Sequence, residues 1–365
     1  MSVAFNSGPS GAPLARIIAT LFATRGARPG VSRDYVVSRA TSTSSMPCGL
    51  WRPRYGERRA DDGSSDNSGI EVDIRSPQNS KVKLMRTFHK RRTREHEGKV
   101  LAEGHRLVCD LIEGGLTPAL VMVSPEALCA SPGPRLQAAL ETLSADVVSV
   151  ASAEVVQRCC DTVTPQGVVA LVERPVLPLP EILQTVLICD GVQDPGNLGT
   201  LVRTAAGLGA DAVVLTGTCV DYWAPKTVRA SMGASFRLPS LTLESWEEVV
   251  GLMRARGIRI YAAEGGASLS HFDADWTAPS ALVVGAEARG LGDAARLGLE
   301  TGDVVGVSVP LAGHTESLNA AVAGAIVLGE AQRQRLVSER SHGSGGGAAR
   351  SSAGRVGVWD GGVAQ

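Results

Sequence analysis

DGVQDPGNLGTLVRTA, from Asp190 to Ala205, follows an apolar run, Thr185 to Cys189, that reads as a short buried strand. Gly191, Pro195, Gly196 and Gly199 break that pattern, and a helix is expected through Leu208. A strand feeding a glycine-rich turn and then a helix places backbone N–H groups and a few polar side chains around a ligand. Asn197 stands at the helix entrance, where it can cap the first turn. Gly199 and Arg203 are four apart and share one helical face. The segment alone reads equally well as a capped helix with a solvated arginine.

Two later stretches repeat the arrangement. ALVVGAEARGLGD, Ala281 to Asp293, is a second apolar strand ending in a glycine turn, and it carries Glu287. GVSVPLAGHTESLNAAVA, Gly306 to Ala323, reads as a third strand that breaks at Pro310 and restarts as a helix near Ser317. Three strand ends thus deliver Asn197 and Arg203, then Glu287, then Ser317 and Asn319. In a parallel sheet ligands bind at the carboxyl ends of strands, so these residues read as one site.

The three stretches resemble the motifs of the SpoU (TrmH-type) RNA 2′-O-ribose methyltransferases of the SPOUT superfamily. Asn197, Gly199 and Arg203 match Asn-x-Gly-x-x-x-Arg, and Gly285, Glu287 and Gly290 match Gly-x-Glu-x-x-Gly. Val309 and Pro310, followed by Ser317, Leu318 and Asn319, match a hydrophobic-Pro step and Ser-Leu-Asn. Leu311 stands where the family often has methionine, and Ala320-Ala321 replace a common Val-Ser pair. The resemblance implies an α/β trefoil-knot methyltransferase domain that binds S-adenosylmethionine through Gly285, Val309 and Leu318. It implies catalytic positions at Arg203, Asn197, Glu287, Ser317 and Asn319, and a homodimer in which one subunit's arginine works at the other's site. Arginine stays protonated in proteins, so Arg203 is read as a phosphate clamp and alkoxide stabiliser rather than as a simple base.

Composition sets further bounds. The net charge is −1 over 365 residues, so nucleic-acid binding has to come from local patches. Aromatic content of 4% argues against base-stacking platforms as the main device. No uninterrupted apolar run approaches a membrane span, and a soluble protein is expected. Seven cysteines are scattered without a C-x-x-C pair; they suit buried thiols better than zinc or a disulfide framework, and no metal is expected.

Up to Ala60 the chain has many arginines, serines and threonines, no lysine, and only Asp34 and Glu57 as acids. That balance suits a mitochondrial or chloroplast transit peptide, with residues 1–76 as leader and linker. A folded unit, 80–175, opens with Lys81, Lys83, Arg86, Lys90, Arg91, Arg92 and Arg94 around an apolar pair, Leu84 and Phe88. Strands and helices then alternate to Val172 and predict a small α/β/α domain. It resembles the substrate-binding domain of SpoU enzymes at Lys90 to Arg94, Glu103-Gly104 and Thr164 to Gly167. That resemblance turns Lys90, Arg91, Arg92 and Arg94 into expected RNA contacts.

Proline-rich residues 175–180 form a connector to a methyltransferase domain expected over 184–338. Within it Lys226 and Arg229 are candidate phosphate contacts, or simply part of a helix start. The last helix, Ser317 to about Arg340, repeats Leu318, Val322 and Ile326 as an apolar stripe expected to face the core. A Gly/Ser-rich tail, 341–365, follows. Ribosomal RNA of an organelle is the favoured substrate. A tRNA 2′-O-methyltransferase and a non-catalytic RNA-binding assembly factor are the alternatives, whereas a dinucleotide enzyme would need a G-x-G-x-x-G turn that neither glycine turn supplies.

Overall fold

The computed structural model describes residues 70–129, 133–313 and 315–343. The expected transit peptide, and the tail beyond Gly343, lie outside these residues. The amino-terminal unit holds α1 (Ser80–Thr87), α2 (Arg91–Glu97), β1 (Lys99–Glu103), α3 (His105–Glu113) and β2 (Leu120–Val123). It continues through α4 (Pro125–Cys129), α5 (Gly133–Glu141), β3 (Val148–Val150), α6 (Ala153–Cys159) and β4 (Val168–Glu173). Its sheet runs β1-β4-β2-β3, with β4 antiparallel to both neighbours and β2 parallel to β3. Helices cover both faces over two apolar clusters, the sandwich the alternating pattern predicts.

Two local readings are corrected. The basic segment forms two helices whose buried side is Val82, Met85 and Phe88, while Leu84 of the expected apolar pair is exposed. Steps of three residues keep those three on one face as well as steps of four would. The supposed linker also folds before Ser80: Ile70, Val72 and Ile74 are buried, and Ile74 bridges Ala151 beside β3. The short apolar/acidic alternation of IEVDI is overshadowed by the Asp/Ser/Gly run before it.

The carboxyl-terminal unit contains β5 (Thr185–Asp190), α7 (Pro195–Gly207), β6 (Ala212–Thr216), α8 (Pro225–Ala230), β7 (Ser240–Leu243) and α9 (Trp246–Ala255). It is completed by β8 (Arg259–Ala263), β9 (Ser280–Gly285), α10 (Asp293–Thr301), β10 (Val304–Val307) and α11 (Ala320–Gly343). Six strands form one parallel sheet in the order β10-β8-β9-β5-β6-β7. Central strands β5 and β9 are buried at every position, which is why they read as unbroken apolar runs. The chain leaves β5 toward β6 and β7 and later returns on the other side through β8, so β5 and β9 flank the point where strand order reverses. Their carboxyl ends, and the two glycine turns that follow them, are therefore neighbours.

Helix α11 returns from the edge strand to pack on α7 and β9. Its close approach needs Gly324, where a Cβ would stand 2.6 Å from Leu201 Cδ2. The buried side of α11 is Ala321, Val327, Leu328 and Ala331. The core reading of the other stripe is overturned: Val322 and Ile326 are exposed and Leu318 is half-buried.

Candidate active site

Helix α7 starts on Asp194, whose carboxylate accepts from the Asn197 N–H at 2.8 Å, and Pro195 occupies the first turn. Asp194, not Asn197, is thus the cap, and Asp-Pro is a sequence signal for that role. The Asn197 N–H, with help from Lys226 Nζ at 3.2 Å, holds the Asp194 carboxyl below the usual carboxylate range, against the effect of burial. Gly199 has a packing role: a Cβ there would lie 2.5 Å from both Ala230 Cβ and the Thr227 carbonyl oxygen on α8.

Freed from capping, the Asn197 side chain ties the three motifs together. Its Nδ2 donates to Glu287 Oε1 at 2.8 Å, and its Oδ1 accepts from Asn319 Nδ2 at 3.0 Å. Asn319 Oδ1 in turn accepts from the N–H groups of Ala321 and Val322, which caps α11. Glu287 also receives the Gln193 and Asp194 N–H groups at 3.4 Å each. Burial pushes the Glu287 carboxyl up, but the Asn197 amide and surrounding N–H groups outweigh it and leave it below the ordinary value. The turn carrying Glu287 is closed by reciprocal hydrogen bonds between Ala286 and Gly290, both 2.8 Å. Gly290 has φ +67°, and a Cβ on Gly285 would meet the Gly290 carbonyl at 2.4 Å, so both glycines are demanded by the turn itself.

Arg203 and Ser317 stand apart from this relay. Arg203 is exposed on α7 and makes no hydrogen bond or ion pair among the described residues. It is six residues from Asn197, about 9 Å along the axis and about 120° round it. Ser317 is exposed in the loop before α11, and its hydroxyl is unpaired among the described residues. The helix begins at Ala320, three residues later than Ser-Leu-Asn suggests. Buried Asp190, at the end of β5, was not singled out; it accepts from the Gly292 N–H at 2.8 Å and anchors the second turn from below.

The backbone of Val309 to Leu318 makes no backbone–backbone hydrogen bond among the described residues, although Val309 and Leu318 are half-buried. Open N–H and C=O groups beside partly exposed aliphatic side chains fit a ligand that pairs an apolar ring with hydrogen-bonding edges. No group of three or more His, Cys, Asp or Glu among the described residues could hold a metal ion.

The basic candidates divide. Lys90, Arg91 and Arg92 are exposed at the start of α2. Arg94 is 4% exposed and donates to the carbonyls of Phe88 and His89 and to the Asp221 carboxylate of the other unit. It is a bridge inside the protein, and the expectation of an open RNA contact is withdrawn. Arg229 likewise spans the units, 3.2 Å from Glu103 Oε2 and 3.8 Å from Asp161. Glu103 is 7% exposed and also accepts from the Asp161 N–H at 3.1 Å and from the Thr162 hydroxyl, so Arg229 is engaged in a buried, fully paired cluster. Lys226 is exposed but paired with Asp194. Gln166 Oε1, from the Thr164 to Gly167 segment, accepts from the His105 N–H beside Gly104, so these two expected landmarks brace each other.

A parallel α/β sheet with a three-motif polar relay at the carboxyl ends of its central strands, joined to a smaller α/β unit with a basic face, defines a two-unit α/β protein of the ligand-binding, open-sheet class. The chain belongs to the SpoU rRNA methylase family, whose model matches residues 184–329, and the MRM3-like substrate binding domain matches residues 79–170. Human mitochondrial rRNA methyltransferase 3 is 32% identical, over 74% of this chain and 76% of that protein. The Bacillus subtilis 23S rRNA (guanosine(2553)-2′-O)-methyltransferase RlmP is 33% identical, over 70% of this chain and 97% of that one. Among solved structures, the SpoU methyltransferase AviRb of Streptomyces viridochromogenes in complex with AdoMet superposes with a TM-score of 0.59 at 29% identity, covering 71% of this chain and all of that one.

Proposed function

We propose that this protein transfers a methyl group from S-adenosylmethionine to a ribose 2′-hydroxyl of organellar large-subunit ribosomal RNA, in the mitochondrial matrix. The observation that carries this reading is the Glu287–Asn197–Asn319 relay, which fixes the three motif loops to one another at the carboxyl ends of β5 and β9. The bound cofactor supplies an electrophilic methyl group. The protein's own task is to hold one hydroxyl in line with it, and positioning of that kind supplies much of a rate enhancement. Gly285, Val309 and Leu318 border the cofactor position, Ser317 and Asn319 face the reacting nucleotide, and Lys90, Arg91 and Arg92 grip phosphates. Arg203 supplies a planar cation to a substrate phosphate and to the developing alkoxide.

Arg203 lies off the face of α7 that carries Asn197, which favours its use at a second subunit's site. The exposed Val322 and Ile326 on α11, with Leu311 nearby in sequence, offer an apolar surface for that homodimer. A mitochondrial address accords with the arginine-rich leader and with the mitochondrial relatives. Mapping 2′-O-methyl sites in organellar ribosomal RNA with and without the protein tests the reading. An unchanged map would refute it.

A further inference from the structure

A cavity of about 260 Å³ lies between the two units, lined by none of the motif residues themselves. Its walls come from α2, the connector at Arg174 to Leu177, and the loop that follows β6. A single water needs only on the order of 10–15 Å³ on this measure, while drug-sized ligands need about 300 Å³ or more. The space therefore suits a fragment the size of one nucleotide moiety.

Charge sets the character of its lining. Arg94 is balanced by Asp221 and Arg91 by Glu95, which leaves Arg174 without an ion-pair partner among the described residues. The cavity thus presents one uncompensated cation.

The same loop joins this cavity to the active site. The Val220 N–H donates to the Val192 carbonyl at 2.9 Å, and Gln193 Nε2 donates to the Thr218 carbonyl. Arg91 also belongs to the basic face of α2, so a strand lying along that face reaches the cavity mouth.

We propose that this interdomain cavity is a subsite for a phosphorylated nucleotide of the RNA, one that flanks the nucleotide being methylated. The inference rests on the proposed function for the identity of the polymer. Arg174 meets the phosphoryl oxygens, and Trp223 lines the wall.

Trp223 emission provides a readout independent of methyl transfer. Uridine 5′-monophosphate should change the emission of the full-length protein, uridine should change it far less, and Trp223→Phe should abolish the signal. Arg174→Ala should remove the nucleotide response and weaken RNA binding about tenfold, the equivalent of one charge-assisted hydrogen bond. Arg174→Lys, which keeps the charge but not the planar fork, should weaken both more mildly, with thermal stability unchanged. Wild-type RNA affinity in both variants, with no phosphate-dependent emission change, would mean that the cavity holds only water and would overturn the proposal. An intact nucleotide response with no methyl transfer to ribosomal RNA would instead sink the proposed function and leave this subsite standing.

Discussion

Asn197→Ala removes the middle of the relay. It deletes the 2.8 Å bond to Glu287 and the 3.0 Å bond from Asn319 while leaving the Asp194 cap, which uses the backbone N–H of residue 197. Both lost bonds are near solvent, so each is worth about 0.5–1 kcal/mol, and the variant should lose about 1–2 kcal/mol of stability. The turn closed by Ala286 and Gly290 does not depend on Asn197, so affinity for S-adenosylmethionine should change little. Turnover should fall much further, about 100-fold, because loops free to drift by about 1 Å misplace the hydroxyl against the methyl group.

The acid limb gives a second check. The Glu287 carboxyl titrates below its ordinary value, so its contribution to stability is present above the unfolded-state value and lost as pH falls through the lowered one. The stability gap between wild type and Asn197→Ala should therefore narrow in acid. Calorimetric cofactor binding, urea unfolding at several pH values and single-turnover methyl transfer together measure these effects. Turnover within about twofold of wild type, despite the expected stability loss, would refute the positioning argument.

Arg203→Ala should abolish methyl transfer without changing the fold, and Arg203→Lys should not restore it, since a point charge cannot replace a planar fork; rate measurements on both variants check this. Replacing Lys90, Arg91 and Arg92 together with alanine should weaken RNA binding and flatten its salt dependence, each lost contact reducing the slope by about 0.7–0.9, as binding across a salt series will show. Arg94→Ala should behave differently, destabilising the protein by about 3–5 kcal/mol in urea unfolding because it leaves Asp221 without its partner.

The contrast among these arginines shows where sequence reading reaches its limit. Strands β5, β6 and β9 are legible because their residues are buried on both faces and leave continuous apolar runs. The three motif loops are legible because glycine turns follow such runs and carry isolated polar residues. Arg94, by contrast, sits in a run of similar cations. Its burial is decided by Asp221, 127 residues away, and nothing local distinguishes it from Arg92. Strand β7 is hidden for the opposite reason: Ser240 to Leu243 is a short edge strand, largely half-exposed, with no strong apolar signal. Helix α11 is apolar on two sides through its first turns, so periodicity alone favoured Val322 and Ile326. The close fit of Gly324 against Leu201 selects the other face. Asn197 reads from the sequence as a helix cap, a task that Asp194, followed by Pro195, already fulfils three residues earlier.

The most direct measurement is nucleoside analysis of organellar large-subunit ribosomal RNA after incubation with the purified protein and isotopically labelled S-adenosylmethionine. The account predicts label in one 2′-O-methylated nucleoside and none when Arg203→Ala replaces the wild type. Label in a methylated base, or no RNA label from protein that binds both cofactor and RNA, would contradict it.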